Sequence, residues 1–149
     1  MDIFSLTHGD QSGEIEVVTE VDKTESMTAE DALMKDIPTS LRPRLGIFHN
    51  AACYGLSTNI MATKAGFAAS IGSDDTTLGP LVLREFLRNY FNGLTLKETA
   101  EEILHSCVNN EEWRQTVKIA LDEDDIEKYC SEAIIAIVGN PNITVNDNV

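Results

Sequence analysis

The sequence predicts an α/β fold, a mostly parallel sheet flanked by helices on both faces, and three observations predict it. Residues 45–52 (LGIFHNAA), 67–72 (FAASIG) and 133–139 (AIIAIVG) are nearly unbroken apolar runs, as strands buried on both faces must be. A segment between them carries apolar residues at helical spacing, with Leu83, Phe86, Leu87, Tyr90 and Phe91 along one stripe. Strand and helix signals alternate along the chain, and a parallel sheet covered by helices satisfies that order.

Residues 2–7 (DIFSLT) read as the first strand, ending at His8-Gly9, and Gly9-Asp10 with Gly13 mark a tight loop. From Glu14 to Asp22 apolar Ile15, Val17 and Val21 alternate with acidic residues, the pattern of a half-exposed strand or hairpin. Thr28, followed by Glu30 and Asp31, has the chemistry of a capped helix start, and that helix is expected to run to about Asp36. Pro38 and Pro43 bracket a linker before the second strand, which ends at Cys53-Tyr54-Gly55. Ser57 or Thr58 then caps a short helix that Gly66 breaks, and the third core strand follows. Ser73 to Gly79 is a polar loop, Pro80 opens a long helix, and Gly93 stops it. Thr95 and Glu98 form a capping box for the next helix, to about Ser106. Asn110 caps another, with Trp113, Val117 and Leu121 on one face. An acidic run leads through a short helix to the fourth strand. One domain over residues 1–145 is expected, with 146–149 a frayed tail.

The chain has 149 residues and a net charge of -14, unevenly distributed. Residues 1–44 and residues 97–128 each carry 10 acids against 4 bases, whereas residues 45–96 carry 3 of each. A basic stripe for phosphate contact is missing, so a nucleic-acid partner is not expected. No apolar run reaches the roughly 18 residues of a membrane helix, and MDIFSLTHGD lacks the basic and apolar regions of a signal peptide. No membrane partner is therefore expected, and the location expected is cytoplasmic, or secreted if the chain is cut from a longer precursor. Cys53, Cys107 and Cys130 are odd in number and widely spaced, which argues against a disulfide scaffold and against a CxxC zinc site. Cys107 and Cys130 read as thiols packed between helices. Asp122 to Asp125 lacks the spacing of a calcium loop, so no metal and no cofactor is expected. Nor does a GxGxxG or GxxxxGK[ST] pattern follow any strand to cradle a nucleotide phosphate.

Chemistry in parallel sheets collects at the carboxyl ends of the strands, where both His8 and Cys53 fall. A thiol nucleophile needs a nearby imidazole and main-chain N–H groups aimed at the developing oxyanion. Small residues around Cys53 (Ala51, Ala52 and Gly55) leave room for a carbonyl to approach. His49 precedes Cys53 by four residues on one strand, about 13 Å if the strand is straight, beyond hydrogen-bond reach. His49 is therefore expected in the core, and His105 near a helix end.

The run Ile3-Phe4-Ser5-Leu6-Thr7-His8-Gly9 resembles the apolar block ending in His-Gly of caspase-like cysteine peptidases, the gingipain and CHAT type. Ile47-Phe48-His49-Asn50-Ala51-Ala52-Cys53-Tyr54-Gly55 resembles the strand that ends in their nucleophile. Met27-Thr28-Ala29-Glu30-Asp31 is similar to a helix start common in these domains, and residues 65–73 to the strand after the nucleophile. The helix from Pro80 with Gly93-Leu94-Thr95-Leu96-Lys97-Glu98-Thr99-Ala100, and the closing Val138-Gly139-Asn140-Pro141, resemble later blocks, with Asn140 where the family has Asp.

The resemblance implies a cysteine endopeptidase acting on a protein or peptide, with Cys53 as nucleophile and His8 as acid and base. The N–H groups of Gly9 and Cys53 would form the oxyanion hole. Asp74 and Asp75 would favour a basic side chain before the scissile bond. Family members have two further strand–helix units ahead of the histidine strand. Their absence from this sequence raises the expectation of a dimer or a missing N-terminal partner segment at an open sheet edge. The alternative is a catalytically inactive caspase-like interaction or regulatory module.

Overall fold

A computed structural model describes residues 2–5, 14–20, 23–28, 37–73, 75, 77–121 and 135–148. Among the described residues six strands and four α-helices follow one another: β1 (Ile3–Ser5), β2 (Glu14–Glu20), β3 (Lys23–Thr28), β4 (Ile47–Asn50), α1 (Leu56–Ala65), β5 (Ala69–Ser73), α2 (Gly79–Phe91), α3 (Leu96–Asn109), α4 (Glu111–Leu121) and β6 (Ile135–Gly139). Short 3₁₀ turns cover Arg42–Arg44 and Val145–Asn148.

The main sheet has the order β1-β4-β5-β6. β1, β4 and β5 are parallel, with Ser5 opposite Asn50 and Asn50 opposite Gly72. β6 runs antiparallel to β5, Gly139 opposite Ala69, so the fourth strand departs from the parallel direction of the other three. The sheet is thus mostly parallel, and the coarse α/β class read from the sequence describes it.

Side-chain alternation along β4 divides the molecule into two layers. Ile47 packs with Ile71, Phe86, Leu96, Ile103, Trp113 and Val117 in the larger core, under α2, α3 and α4. Phe48 turns to the opposite face and packs with Leu45, Ala62, Ala65 and Phe67, under α1. The Asp2 carboxylate accepts the Ile47 N–H at 2.9 Å, tying the start of β4 to its edge neighbour.

Several helix ends follow local chemistry. Gly66 closes α1 in the left-handed conformation, φ 114°. Pro80 lies in the first turn of α2. Thr95 and Glu98 make the reciprocal capping box of α3, which also holds the Glu98 carboxyl below its usual range through the Thr95 backbone and hydroxyl hydrogen bonds. The Asn110 side chain accepts the Trp113 N–H at 3.1 Å and caps α4.

The alternating segment after Gly13 is a hairpin, one of the two forms its pattern allowed, in which β2 pairs antiparallel with β3. Thr28 is the last residue of β3, opposite Glu14, and the helix expected to start there falls in residues 29–36, outside the described residues. α1 begins at Leu56 after Gly55 without a side-chain cap. Near the C-terminus the Asp147 carboxylate accepts the Thr144 N–H and hydroxyl at 2.7 and 2.8 Å. The short helix expected after the acidic run lies outside the described residues.

Thr95→Ala deletes the side chain that accepts the Glu98 N–H. It should lower unfolding free energy by about 1 kcal/mol in urea titration, with Thr95→Ser close to the parent chain.

Candidate functional site

The connection from β4 to α1 spans residues 51–55 and carries Cys53 at its centre. Four constraints shape it. Tyr54 adopts a positive φ of 54°, a left-handed conformation uncommon for a side chain of its size. Its N–H donates to the Asp75 carbonyl at 3.0 Å, and the Gly55 N–H donates to the Ala52 carbonyl at 3.2 Å. The Thr58 hydroxyl donates to the Gly55 carbonyl at 2.7 Å and accepts from the Asn50 side-chain amide at 3.1 Å. Position 55 tolerates only glycine, because a Cβ there would lie 2.6 Å from the Asn50 carbonyl oxygen.

Asn59 anchors the first turns of α1 to the sheet. Its Oδ1 accepts the Ser70 hydroxyl at 2.6 Å, and its Nδ2 donates to the Ala136 carbonyl at 3.2 Å. The thiol-bearing bend therefore sits between a strand and a helix that are both held to β5.

Cys53 is half-buried and free. Its Sγ accepts the Thr77 N–H at 3.5 Å and donates to the Thr77 carbonyl at 3.7 Å. Together with the Tyr54–Asp75 bond, these contacts bring the loop after β5 to the bend after β4. Both lie at the carboxyl edge of neighbouring parallel strands. Asp75, read from the sequence as a substrate-binding residue, has its main chain at the bend that carries Cys53. Asp74 lies outside the described residues, and so do His8 and Gly9.

His49 points away from this rim. Its ring stacks on Phe86 with centroids 4.2 Å apart, it is 1% exposed, and Nδ1 has no hydrogen-bond partner among the described residues. Desolvation by burial pulls its pKa from 6.5 to about 3, so the imidazole is neutral in the core. His105 is exposed on α3.

Cys107 is buried but not a simple packing thiol. It is disulfide-bonded. Separation along the chain is no guide to the through-space approach that a disulfide requires, which is why cysteine spacing missed it. Cys130 lies outside the described residues. Among the described residues no group of three or more His, Cys, Asp or Glu could hold a metal ion. None of their helices is long and apolar enough to cross a membrane.

Sequence reading did not find Thr77 or the polar tie through Asn50 and Thr58. Thr58 had a local signal as a possible cap; Thr77 had none, since its role is made by main-chain atoms.

The molecule is thus an open α/β sheet with a constrained, half-buried thiol at its carboxyl rim. No family model matches the chain, and no curated protein matches it.

The His49 geometry generates a pH prediction. Between about pH 3 and 6.5 the unfolded chain holds a proton on this imidazole that the folded chain refuses, so stability is lost as pH falls through that window. The slope contributed approaches about 1.4 kcal/mol per pH unit. Urea titrations at neutral and mildly acidic pH should show a smaller acid loss in His49→Leu than in the parent chain.

Proposed function

We propose that this chain is a caspase-like cysteine endopeptidase, in which Cys53 is the nucleophile and His8 the acid and base. The observation that carries this reading is Cys53 on a tightly constrained bend at the carboxyl rim of an interior parallel strand, the position where such sheets hold their chemistry. Strand register supports the choice of His8. Ser5 of β1 is the partner of Asn50 of β4, and His8 follows Ser5 by three positions, as Cys53 follows Asn50. Burial removes His49 as a competitor, since it is neutral and packed under Phe86.

In the proposed reaction His8 takes the thiol proton, and Sγ attacks the peptide carbonyl carbon and forms a C–S bond. The oxyanion is held by the N–H groups of Gly9 and Cys53. The C–N bond breaks as His8 gives its proton to the departing amine. Water, deprotonated by the same imidazole, then cleaves the thioester and restores the thiol. Asp74 and Asp75 would select a basic side chain before the scissile bond, and the tie between Asp75 and the Cys53 bend supports that role. The net charge of -14 adds a long-range attraction for such a substrate. The disulfide at Cys107 supports an oxidising compartment over a cytoplasmic one, because such bonds persist there.

A second reading, a non-catalytic caspase-like interaction module, draws support from the thiol being engaged by both main-chain groups of Thr77. A peptidyl acyloxymethyl ketone with Arg or Lys beside the warhead separates the two. The peptidase reading expects Cys53 to be modified, and Cys53→Ala and His8→Ala each to lose at least about a hundredfold in peptide hydrolysis. Folded protein that leaves Cys53 unmodified and cleaves nothing in a peptide library favours the module.

A further inference from the structure

We propose that Thr58 is a positioning residue for the Cys53 thiol, acting through the bend and not on the substrate. The inference rests on reading Cys53 as a nucleophile. Thr58 is 1% exposed in the first turn of α1, and its single hydroxyl is used twice. It donates to the carbonyl of Gly55, at the end of the bend, at 2.7 Å. It accepts from the side chain of Asn50, the last residue of β4, at 3.1 Å. Both ends of the five-residue connection are thereby closed through one oxygen, and Cys53 lies at its midpoint.

The tie resists a specific deformation. Tyr54 is held at φ 54°, and a residue of that kind relaxes toward negative φ unless its surroundings prevent it. Such a relaxation rotates the peptide planes beside residue 53 and redirects its Cα–Cβ bond. The Thr58 hydroxyl and the Tyr54–Asp75 bond oppose that rotation from the two sides of the bend. Asn50 is itself 2% exposed, and its Oδ1 has no hydrogen-bond partner among the described residues. The Thr58 hydroxyl is therefore what its side chain bonds within that set, and this fixes the amide orientation. Losing the hydroxyl frees the Asn50 amide and removes the shorter of the two bonds Thr58 makes to the Gly55 carbonyl, leaving its main-chain N–H at 3.1 Å, and the direction of Sγ becomes variable. Nucleophilic attack is sensitive to misplacement on the ångström scale, whereas alkylation by a small reagent is not.

The test compares the parent chain with Thr58→Val, Thr58→Ser and Asn50→Ala, using the full chain, with folding checked by circular dichroism and thermal melting. The inactivation rate constant and the half-saturating concentration are measured separately for the basic peptidyl acyloxymethyl ketone, beside simple alkylation of Cys53 by iodoacetamide. Expected for Thr58→Val is a fall of at least about tenfold in the inactivation rate constant, with half-saturation and iodoacetamide rate each within about threefold. Thr58→Ser restores the rate constant, because it keeps the hydroxyl. Asn50→Ala, which retains the Thr58–Gly55 bond, falls between parent and valine variant and carries the test should the valine chain not fold. The inference is overturned if the folded valine or Asn50 variant inactivates at the parent rate, or if serine gives no recovery. A parent chain whose Cys53 reacts with iodoacetamide but never with the peptidyl reagent overturns the nucleophile reading itself, and the positioning role with it.

Discussion

The close approach of Gly55 to Gly72 is the contact on which the arrangement around the thiol depends. A Cβ on Gly72 would lie 2.8 Å from the Gly55 carbonyl carbon, and one on Gly55 would lie 2.6 Å from the Asn50 carbonyl oxygen. Neither position leaves space for a side chain. Because both are glycine, the chain leaving β4 can fold back over β5 at once, and α1 lies against the sheet within one turn. Asn59 then reaches both Ser70 and Ala136, and Thr58 reaches Asn50. A wider bend would break these bonds and carry the Cys53 sulfur away from the Thr77 amide.

Strand alternation does the rest of the sorting. His49 and Asn50 are consecutive and both buried, yet their environments are opposite. His49 faces Phe86 in the apolar layer under α2, where an imidazole is kept neutral. Asn50 faces α1 and joins a polar network that shapes the bend. A one-residue shift in the register of β4 would exchange these faces, setting the amide against Phe86 and the imidazole toward α1.

Charge follows the same geometry. The neutral stretch of residues 45–96 contains β4, α1, β5 and α2, the elements around the thiol, whereas acidic residues concentrate before and after it. Buried sheet and close-packed helix cannot hold unpaired charge without a large desolvation cost. Glu85, the buried carboxylate of α2, is met by Arg84 at 3.4 Å and also by Arg88.

The sequence by itself determined the α/β class, the apolar strands β4 and β5, the α2 helix with its proline start, the capping box of α3 and the Asn110 cap of α4. Each of these rests on interactions within a few residues, or on the burial of one continuous apolar run. It also pointed to Cys53 at a strand end. Only the tertiary structure decided that β6 runs antiparallel, that Thr28 closes a strand, that Cys107 enters a disulfide, and that Thr77 and Thr58 hold the thiol and its bend. Those outcomes depend on groups distant in sequence or on main-chain atoms that every residue shares: Thr77 reaches Cys53 through its amide and carbonyl, and a single chain of letters carries no signal for either.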